Sequence, residues 1–276
     1  MNEIKQIDKL LSGYASKRGA DFAQLFDQWL DWIIVWFDKE YILSKDCNLV
    51  TVTEEMKADN DTFFECFILV AHATSHNIEQ KGWYDPFGSI YEEKAKSRYK
   101  ASSMGQFFTP EGLCDSIAKI NTQNHTFIYD PACGSGRLPL AMWGNSDKDK
   151  FHYFVLGDID PMSCKMSALN MMLHGMFGIV ERRDALSMDF FGGYVINEMC
   201  YPFPAAIPSI RVADEKECRK NLAFARRIAP HGNDVQECAK IEHNVTEPLA
   251  VESTKVTTSK SQAQPIQISL FNFDEL

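Results

Sequence analysis

An aspartate followed by a glycine-rich loop is the part of this sequence best suited to binding a ligand. The loop reads Asp130-Pro-Ala-Cys-Gly134-Ser-Gly136 and lies between a strand-like run and an amphipathic stretch. Glycines there let the backbone approach a ligand closely, and the start of the following helix favours polar or anionic groups. Taken alone, the loop is equally consistent with a tight turn between a strand and a helix.

Two more carboxylates stand at comparable places further along the chain. Asp158 lies in Gly157-Asp158-Ile-Asp160-Pro161 at the end of a second strand-like run, and Asp184 follows a third. A carboxylate at the end of a neighbouring strand can accept hydrogen bonds from ribose hydroxyls. Each acid alone is typical of a solvated loop or a helix N-cap. One acid at each of three strand ends predicts a crevice for a nucleoside-like ligand.

Four short apolar runs within residues 101–197 alternate with stretches that have the periodicity of helices. This alternation predicts parallel strands linked by crossover helices, and thus an α/β fold. The carboxyl ends of such strands meet at one edge of the sheet, which would bring the three acids together. The predicted strands cover 126–130, 151–157, 179–181 and 194–197, and the predicted helices cover 137–144 and 162–174.

The regions on either side of this centre have a different character. Residues 1–100 contain two series of apolar residues at three- and four-residue steps, which predict helices with one buried face. Residues 205–276 are charged and polar, with one helix predicted near 214–227. The rest of that region cannot bury enough apolar surface to offset its ordering entropy, so we expect a flexible, disordered tail. The expected division is a helical region (1–100), a ligand-binding domain (101–204) and a tail (205–276).

The composition excludes several classes of protein. The chain has 276 residues, 45% of them hydrophobic, which excludes wholesale disorder, collagen and coiled coil. Its formal net charge of −10 does not attract nucleic acid to the chain as a whole, so any DNA contact needs a local basic face. The eight cysteines are scattered without metal-ligand spacing, so we expect reduced thiols and no metal site.

Targeting signals are not evident in the sequence. The N-terminal residues lack the basic start and apolar core of a signal peptide. No run approaches the ~18 continuous apolar residues of a membrane span. We therefore expect a cytoplasmic protein without a membrane partner.

The glycine loop and its surroundings resemble the S-adenosylmethionine-binding motif of DNA adenine-N6 methyltransferases. The resemblance is closest to the modification subunits of type I restriction systems and related stand-alone adenine methylases. Two upstream segments also match in order and spacing. Gly105-Gln-Phe107-Phe-Thr109-Pro110 is similar to the motif that covers the methionine part of the cofactor, and Asp85-Pro-Phe-Gly-Ser-Ile-Tyr-Glu92 is similar to the segment before it. The resemblance spans roughly residues 60–197.

This resemblance implies a fold, a cofactor and a set of binding residues. The fold is a Rossmann-like methyltransferase sheet, and the cofactor is S-adenosyl-L-methionine. Asp158 matches the acid that binds the ribose, and Asp184 matches the acid that contacts the adenine amine. The cofactor-binding residues carried over are Phe107, Thr109, Pro110, Asp130, Ala132, Gly134, Gly136, Asp158 and Asp184.

The chain departs from the family at the catalytic tetrapeptide. Members carry Asn-Pro-Pro followed by Tyr or Phe after the fourth strand, where the Asn accepts from the amino group of a flipped-out base. Here the fourth strand-like run ends at Asn197, both prolines are absent, and the aromatic residue arrives late, as Tyr201. Two interpretations stay open: Asn197 and Tyr201 are catalytic, or Asn197 only ends a strand.

The sheet is also expected to have fewer strands than that of the family. The resembling fold has seven strands, and no clear apolar run follows the fourth strand in this sequence. A sheet that stopped there would expose an edge. A second subunit, or a second copy of the chain, is one way to complete it.

Two further segments suggest partners. Gln267-Ile-Ser-Leu270-Phe271 resembles the peptide with which bacterial polymerases and repair proteins dock onto the replication sliding clamp, although it could equally cover its own domain. The basic run 94–100 and the pair Arg182-Arg183 could contact DNA phosphates, or could form solvated helix faces.

The sequence thus leaves the function open between an enzyme and a binding module. The first hypothesis is an S-adenosylmethionine-dependent DNA adenine-N6 methyltransferase of the restriction-modification type. The alternative is a catalytically impaired module that binds cofactor or DNA and is recruited to the sliding clamp through its C-terminal peptide. Methylation of a protein amide or an RNA base is a weaker third hypothesis.

Overall fold

The structure is a computed structural model that describes residues 3–38, 59–97, 108–121, 126–198 and 208–228. Five residues given roles above lie outside these ranges, and their roles stay predictions: Phe107, Tyr201, Gln267, Leu270 and Phe271. The described part has a mixed α/β architecture with eight helices and one open five-stranded sheet. Among its helices, none is both long and apolar enough to cross a membrane.

The sheet has its strands in the order β1-β2-β3-β4-β5, which is also their order in the chain. The first three are parallel, and the last two run antiparallel to their neighbours. Three of the predicted strands therefore form the expected parallel unit. The strands are β1 (Phe127–Asp130), β2 (Tyr153–Asp158), β3 (Phe177–Arg183), β4 (Phe190–Ile196) and β5 (Ile210–Ala213).

The connections between strands explain this change of direction. Helices α6 (Arg137–Gly144) and α7 (Pro161–Leu173) cross from β1 to β2 and from β2 to β3, as predicted. Only residues 184–189 join β3 to β4, and a parallel crossover needs about a dozen residues or more. The fourth strand therefore returns antiparallel beside the third, which corrects the expectation of a parallel one.

A fifth strand, which the sequence analysis did not find, continues the sheet. β5 pairs antiparallel with β4, and Ile196 is opposite Ile210. Ile210 and Ala213 are buried, while Arg211 and Val212 between them are not. A strand of four residues inside a charged stretch is too short for its alternation of apolar and polar residues to distinguish it from a loop.

The remaining six helices lie around this sheet. The two apolar series of the N-terminal region are confirmed as the buried faces of α2 and α3. The charged segment predicted as helical is confirmed as α8. The helices are α1 (Glu3–Arg18), α2 (Phe22–Trp36), α3 (Asn60–Lys81), α4 (Pro86–Ser97), α5 (Glu111–Asn121) and α8 (Glu215–Ile228).

The sheet has a hydrophobic core on each face. One core joins Ile128, Leu156 and Val180 of the sheet to the crossover helices and the N-terminal helices in a single cluster. The other packs Val155 and Ile179, with their neighbours, against α8. The N-terminal helices and the first face of the sheet thus share one core, which fixes how segments distant in sequence meet at the glycine loop.

Polar contacts reinforce this arrangement away from the loop. Lys165 of α7 forms ion pairs with Asp27 and Asp31 of α2, at 2.7 and 2.8 Å. Asp59, which is buried just before α3, accepts hydrogen bonds from Arg18 Nη1 at 2.6 Å and from the Tyr14 hydroxyl at 2.5 Å. These contacts link α1 and α2 to their neighbours without involving the strand ends.

Candidate cofactor-binding site

The glycine loop lies against the carboxyl end of β2. The Cys133 N–H donates to the Gly157 carbonyl at 2.9 Å, and the Gly134 N–H donates to Asp158 Oδ2 at 2.9 Å. Gly134 and Gly136 have φ angles of 56° and 82°, a region that side chains disfavour. The loop conformation therefore depends on glycine at both positions, and the acid of the neighbouring strand holds it in place.

Asp158 organises the backbone on both sides of itself. Its other carboxylate oxygen accepts from the Asp160 N–H at 2.9 Å. Asp160 in turn caps α7 by accepting from the Ser163 N–H at 2.8 Å. Each carboxylate oxygen of Asp158 has a further lone pair, so Asp158 can accept a ligand hydroxyl while it holds the loop.

Asp130 adds a second carboxylate next to Asp158. Burial raises the pKa of Asp130, the hydrogen bond from the Ala132 N–H lowers it, and the charge of Asp158 raises it again, with a net increase. Ionisation of Asp130 is therefore less favourable than that of a fully solvated aspartate. A positively charged group bound between these carboxylates would relieve that cost.

Asp184 lies at the same edge of the sheet, after β3. Its carboxylate accepts from the backbone N–H groups of Leu186 at 2.8 Å and Ser187 at 3.3 Å, which shapes its own loop. The structure thus brings the Asp130, Asp158 and Asp184 strand ends to one edge, as predicted. Whether each acid contacts a ligand stays a prediction.

Two apolar side chains at this edge were missed by the sequence analysis. Ile159 is 57% exposed and Leu186 is 96% exposed. Both follow an acid at a strand end, and that juxtaposition in sequence is the signal that could have identified them. Exposed aliphatic side chains can pack against the faces of a nucleobase. The carboxylates beside them can accept hydrogen bonds from the ribose hydroxyls and from the amine of the base.

The upstream segment 108–110 packs onto the loop from the other side. A Cβ atom added to Gly134 would lie 3.2 Å from the Phe108 ring. The Thr109 carbonyl accepts from Arg137 Nη1, at the start of α6, at 3.3 Å. The structure therefore brings Phe108 and Thr109 next to the glycine loop and the start of α6. Pro110 lines a separate cavity beside Glu3 and Lys81, and the binding roles of Thr109 and Pro110 stay predictions.

Asn197 is not brought to this edge. It follows β4, whose last residue Ile196 pairs with Gly178 near the start of β3. Asp184 follows the opposite end of β3. At ~3.3 Å per residue the length of β3 separates the two by roughly 20 Å.

The Asn197 side chain is also fully occupied in the interior. It is completely buried, donates to the Met176 carbonyl at 2.9 Å and the Met172 carbonyl at 3.2 Å, and accepts from the Ser209 N–H at 3.1 Å. Its φ of 54° is one that Asn tolerates better than most residues. Of the two interpretations left open above, the structure favours the strand end, and the expected catalytic position of Asn197 is corrected.

Comparison with known proteins identifies relatives for this segment. Residues 83–201 match the family model described as N-6 DNA Methylase. The chain is 27% identical over 113 residues to the type I restriction enzyme MjaIX methylase subunit of Methanocaldococcus jannaschii, covering 39% of this chain and 20% of that protein. It is 25% identical over 166 residues to the type I restriction enzyme MpnII methylase subunit of Mycoplasma pneumoniae, covering 55% and 31%. No solved structure matches.

These matches confirm the resemblance inferred from the motifs. The matched residues 83–201 contain the glycine loop and all three acids at the strand ends. The chain spans only about a fifth to a third of the length of these two relatives, at 20% and 31%.

Replacing Asn197 should affect stability rather than ligand binding. In Asn197→Ala the partner groups are left buried without hydrogen bonds, so we expect the free energy of unfolding to fall by about 2 to 4 kcal/mol. Urea denaturation measures this, with Asn121→Ala on the exposed end of α5 as control. A variant as stable as the control would contradict the structural role.

Replacing Asp130 should stabilise the ligand-free protein at neutral pH. Its pKa is raised in the folded state, so the ionised form is disfavoured there and stability is lost as pH rises through that pKa. Asparagine does not ionise, so Asp130→Asn removes this pH-dependent loss of stability. We expect a higher unfolding temperature than the wild type at about pH 7, and no gain at pH values where the wild-type carboxyl is protonated.

Thermal unfolding at both pH values measures this difference. Asp149→Asn, which replaces an exposed acid, is the matched control and should show no such pH-dependent gain. A lower unfolding temperature for Asp130→Asn at neutral pH would contradict the assignment.

Proposed function

We propose that this chain forms the S-adenosylmethionine-binding part of a DNA adenine-N6 methyltransferase of the restriction-modification type. The main support is the hydrogen bond from the Gly134 N–H to Asp158 Oδ2, because it joins the glycine loop and the acid of the next strand into one site. The match of residues 83–201 to N-6 DNA methylases covers both. Strands β1 to β3 with their crossover helices correspond to half of a Rossmann-like sheet.

The residues at the strand ends divide the recognition of the nucleoside between them. Asp158 accepts from the ribose hydroxyls, and Asp184 accepts from the adenine amine. Ile159 and Leu186 contact the faces of the base. This division uses hydrogen bonds for orientation and apolar contacts for affinity, as in most nucleoside sites.

The loop side of the site receives the methionine part. The half-buried backbone at Gly134 borders this part, while Gly136 packs against Ser167 of α7, and Thr109 lies beside the loop. When bound, the cofactor supplies an electrophilic methyl group on a positively charged sulfur. The carboxylates of Asp130 and Asp158 give this end of the site the negative potential that suits such a cation.

Methyl transfer to an amine needs hydrogen-bond acceptors beside the methyl group, and the described residues offer no counterpart of the family's Asn-Pro-Pro-aromatic run at the strand ends. The sequence contains no Asn-Pro-Pro-aromatic run, and the Asn197 amide is used inside the fold. We propose that a second subunit supplies these acceptors. Both curated relatives are named as methylase subunits of restriction enzymes.

The free edge of β1 is the place where such a subunit would act. Among the described strands, β1 pairs with β2 alone. A groove of about 950 Å³ lies on the sheet face next to this edge, between Phe127, Tyr129 and Val155 of the sheet and Leu222 and Ala223 of α8. Glu181 and Arg183 of β3 also line it. Tyr129 is 62% exposed. An unpaired strand edge with an apolar groove is a template for strand addition.

A strand added parallel to β1 would end beside Asp130. The two strand ends would then flank the crevice in which α/β sheets bind their ligands. Arg219 and Arg226 line the groove, so the added segment is expected to be apolar with acidic neighbours. The occupant we propose is therefore a strand of a second polypeptide that carries the acceptors for the target amine.

Calorimetry with S-adenosylmethionine tests the cofactor site. We expect the wild-type chain to bind, and Asp158→Ala to lose binding because the loop and the ribose lose the same acceptor. Asp149→Ala, which replaces an exposed acid between α6 and β2, is the control and should bind as the wild type does. Equal affinity of Asp158→Ala and the wild type would contradict the assignment.

Methyl transfer tests the second subunit. We expect the isolated chain to bind cofactor without methylating mixed-sequence DNA, and the complex purified from its own cells through a tag on this chain to methylate adenine N6. Tyr129→Arg should abolish that activity by placing a charge in the groove, while its cofactor affinity stays as in the wild type. Methylation by the isolated, monomeric chain would overturn the proposal.

A further inference from the structure

Behind the glycine loop lies a carboxylate that is completely shielded from solvent. Asp85, directly before α4, is 0% exposed. Its Oδ2 accepts from Ser135 Oγ at 2.6 Å and from Arg137 Nε at 2.9 Å. Its Oδ1 accepts from the Gly88 N–H and from Asn170 Nδ2, both at 2.8 Å. Both oxygens are thus saturated by donors from three parts of the chain.

The guanidinium of Arg137 extends this network to two more segments. Besides Asp85, it donates to both carboxylate oxygens of Glu92 on α4, at 3.1 Å each, and to the Thr109 carbonyl at 3.3 Å. Its central carbon lies 5.5 Å from the centre of the Phe108 ring. One side chain therefore connects the glycine loop, α4 and the segment 108–110.

Helix α4 packs closely against the Asp85 side chain. A Cβ atom on Gly88 would lie 2.1 Å from Asp85 Oδ2 and 2.6 Å from Ser135 Oγ. The backbone of α4 therefore approaches the loop as closely as glycine allows. Asn170 also donates to the Ser135 carbonyl at 2.8 Å, which fixes the loop backbone from a third direction.

Stability alone does not account for such a network. A buried ion pair contributes little net stability compared with apolar groups of similar volume, because the desolvation of both charges offsets their attraction. What it does provide is a defined geometry, since a planar guanidinium with several partners has one favourable orientation. Burial acts to lower the pKa of Arg137, but the charges of Asp85 and Glu92 outweigh it and raise the pKa, so the cation persists.

We infer that Asp85 and Arg137 are positioning residues of the cofactor site. They hold the backbone from Ser135 to Gly136, and the segment at Thr109, in the arrangement that binds the nucleoside cofactor, without touching it themselves. The inference rests on the proposed function. It also makes the N-terminal helices part of the cofactor site, because Asp85 and Glu92 belong to the segment that joins them to the sheet.

The test compares two buried aspartates of similar surroundings. Asp85→Asn removes the charge behind the loop, and Asp59→Asn removes the buried charge that pairs with Arg18 away from the strand ends. We expect both variants to unfold at lower temperature than the wild type. Only Asp85→Asn should weaken the binding of S-adenosylmethionine and S-adenosylhomocysteine, by at least about tenfold, because binding groups must be held within about 0.5 Å of their productive geometry by the residues behind them.

Two milder variants cover the case in which Asp85→Asn does not fold. Ser135→Ala removes a single donor to Asp85 and should weaken cofactor binding several-fold with a small change in unfolding temperature. Arg137→Lys keeps the positive charge but cannot reach Asp85, Glu92 and Thr109 together. It should weaken binding as well, whereas a purely electrostatic role would be rescued by lysine.

The outcomes separate this inference from the proposed function. A wild-type chain that binds neither compound refutes the proposed cofactor site itself. A wild type that binds, with Asp85→Asn, Ser135→Ala and Arg137→Lys equal to it in affinity, overturns the positioning role alone. Equal loss of affinity in Asp85→Asn and Asp59→Asn would also overturn it, because the effect would then follow general destabilisation.

Discussion

The buried contact between Arg137 and Asp85 is the constraint on which the rest of this site depends. It lies where the helical layer, the glycine loop and the segment at Thr109 meet, and no two of these adjoin in sequence. On the ligand side of the same loop, Asp158 holds the Gly134 N–H. The loop is thus fixed from both sides by charged hydrogen bonds, which gives its backbone a defined shape before any ligand arrives.

The sheet determines which chemistry is possible at this edge. Three parallel strands bring their acids together, and the short return after β3 sends β4 in the opposite direction. That reversal puts Asn197 at the far end of the sheet, where its amide stabilises buried carbonyls. The same topology leaves β1 without a second neighbour among the described strands. The proposed cofactor edge and Asn197 therefore lie apart, which is the physical basis for proposing a second subunit.

Sequence patterns predicted those parts of the fold that depend on interactions between residues close together in the chain. The helical periodicity from Phe22 onward, the glycine loop and the acid Asp158 follow from side-chain spacing and backbone requirements within a few residues. The direction of β4 did not follow, because it depends on the length of one connection, and β5 was too short for its pattern to stand out. The role of Asp85 was invisible for another reason: its partner Arg137 is 52 residues away, and no local pattern encodes a contact made through the tertiary fold.

The most direct test of this account is a crystal structure of the chain with S-adenosylhomocysteine. In that structure we expect the ribose at Asp158, the base between Ile159 and Leu186 near Asp184, and the amino-acid part along the loop at Gly134, with the Asp85–Arg137 contact unchanged. This expectation would be contradicted by a ligand bound elsewhere, for example in the cavity lined by Glu3, Lys81 and Glu111. A loop that rearranges so that Asp158 faces away from the ligand would contradict it equally.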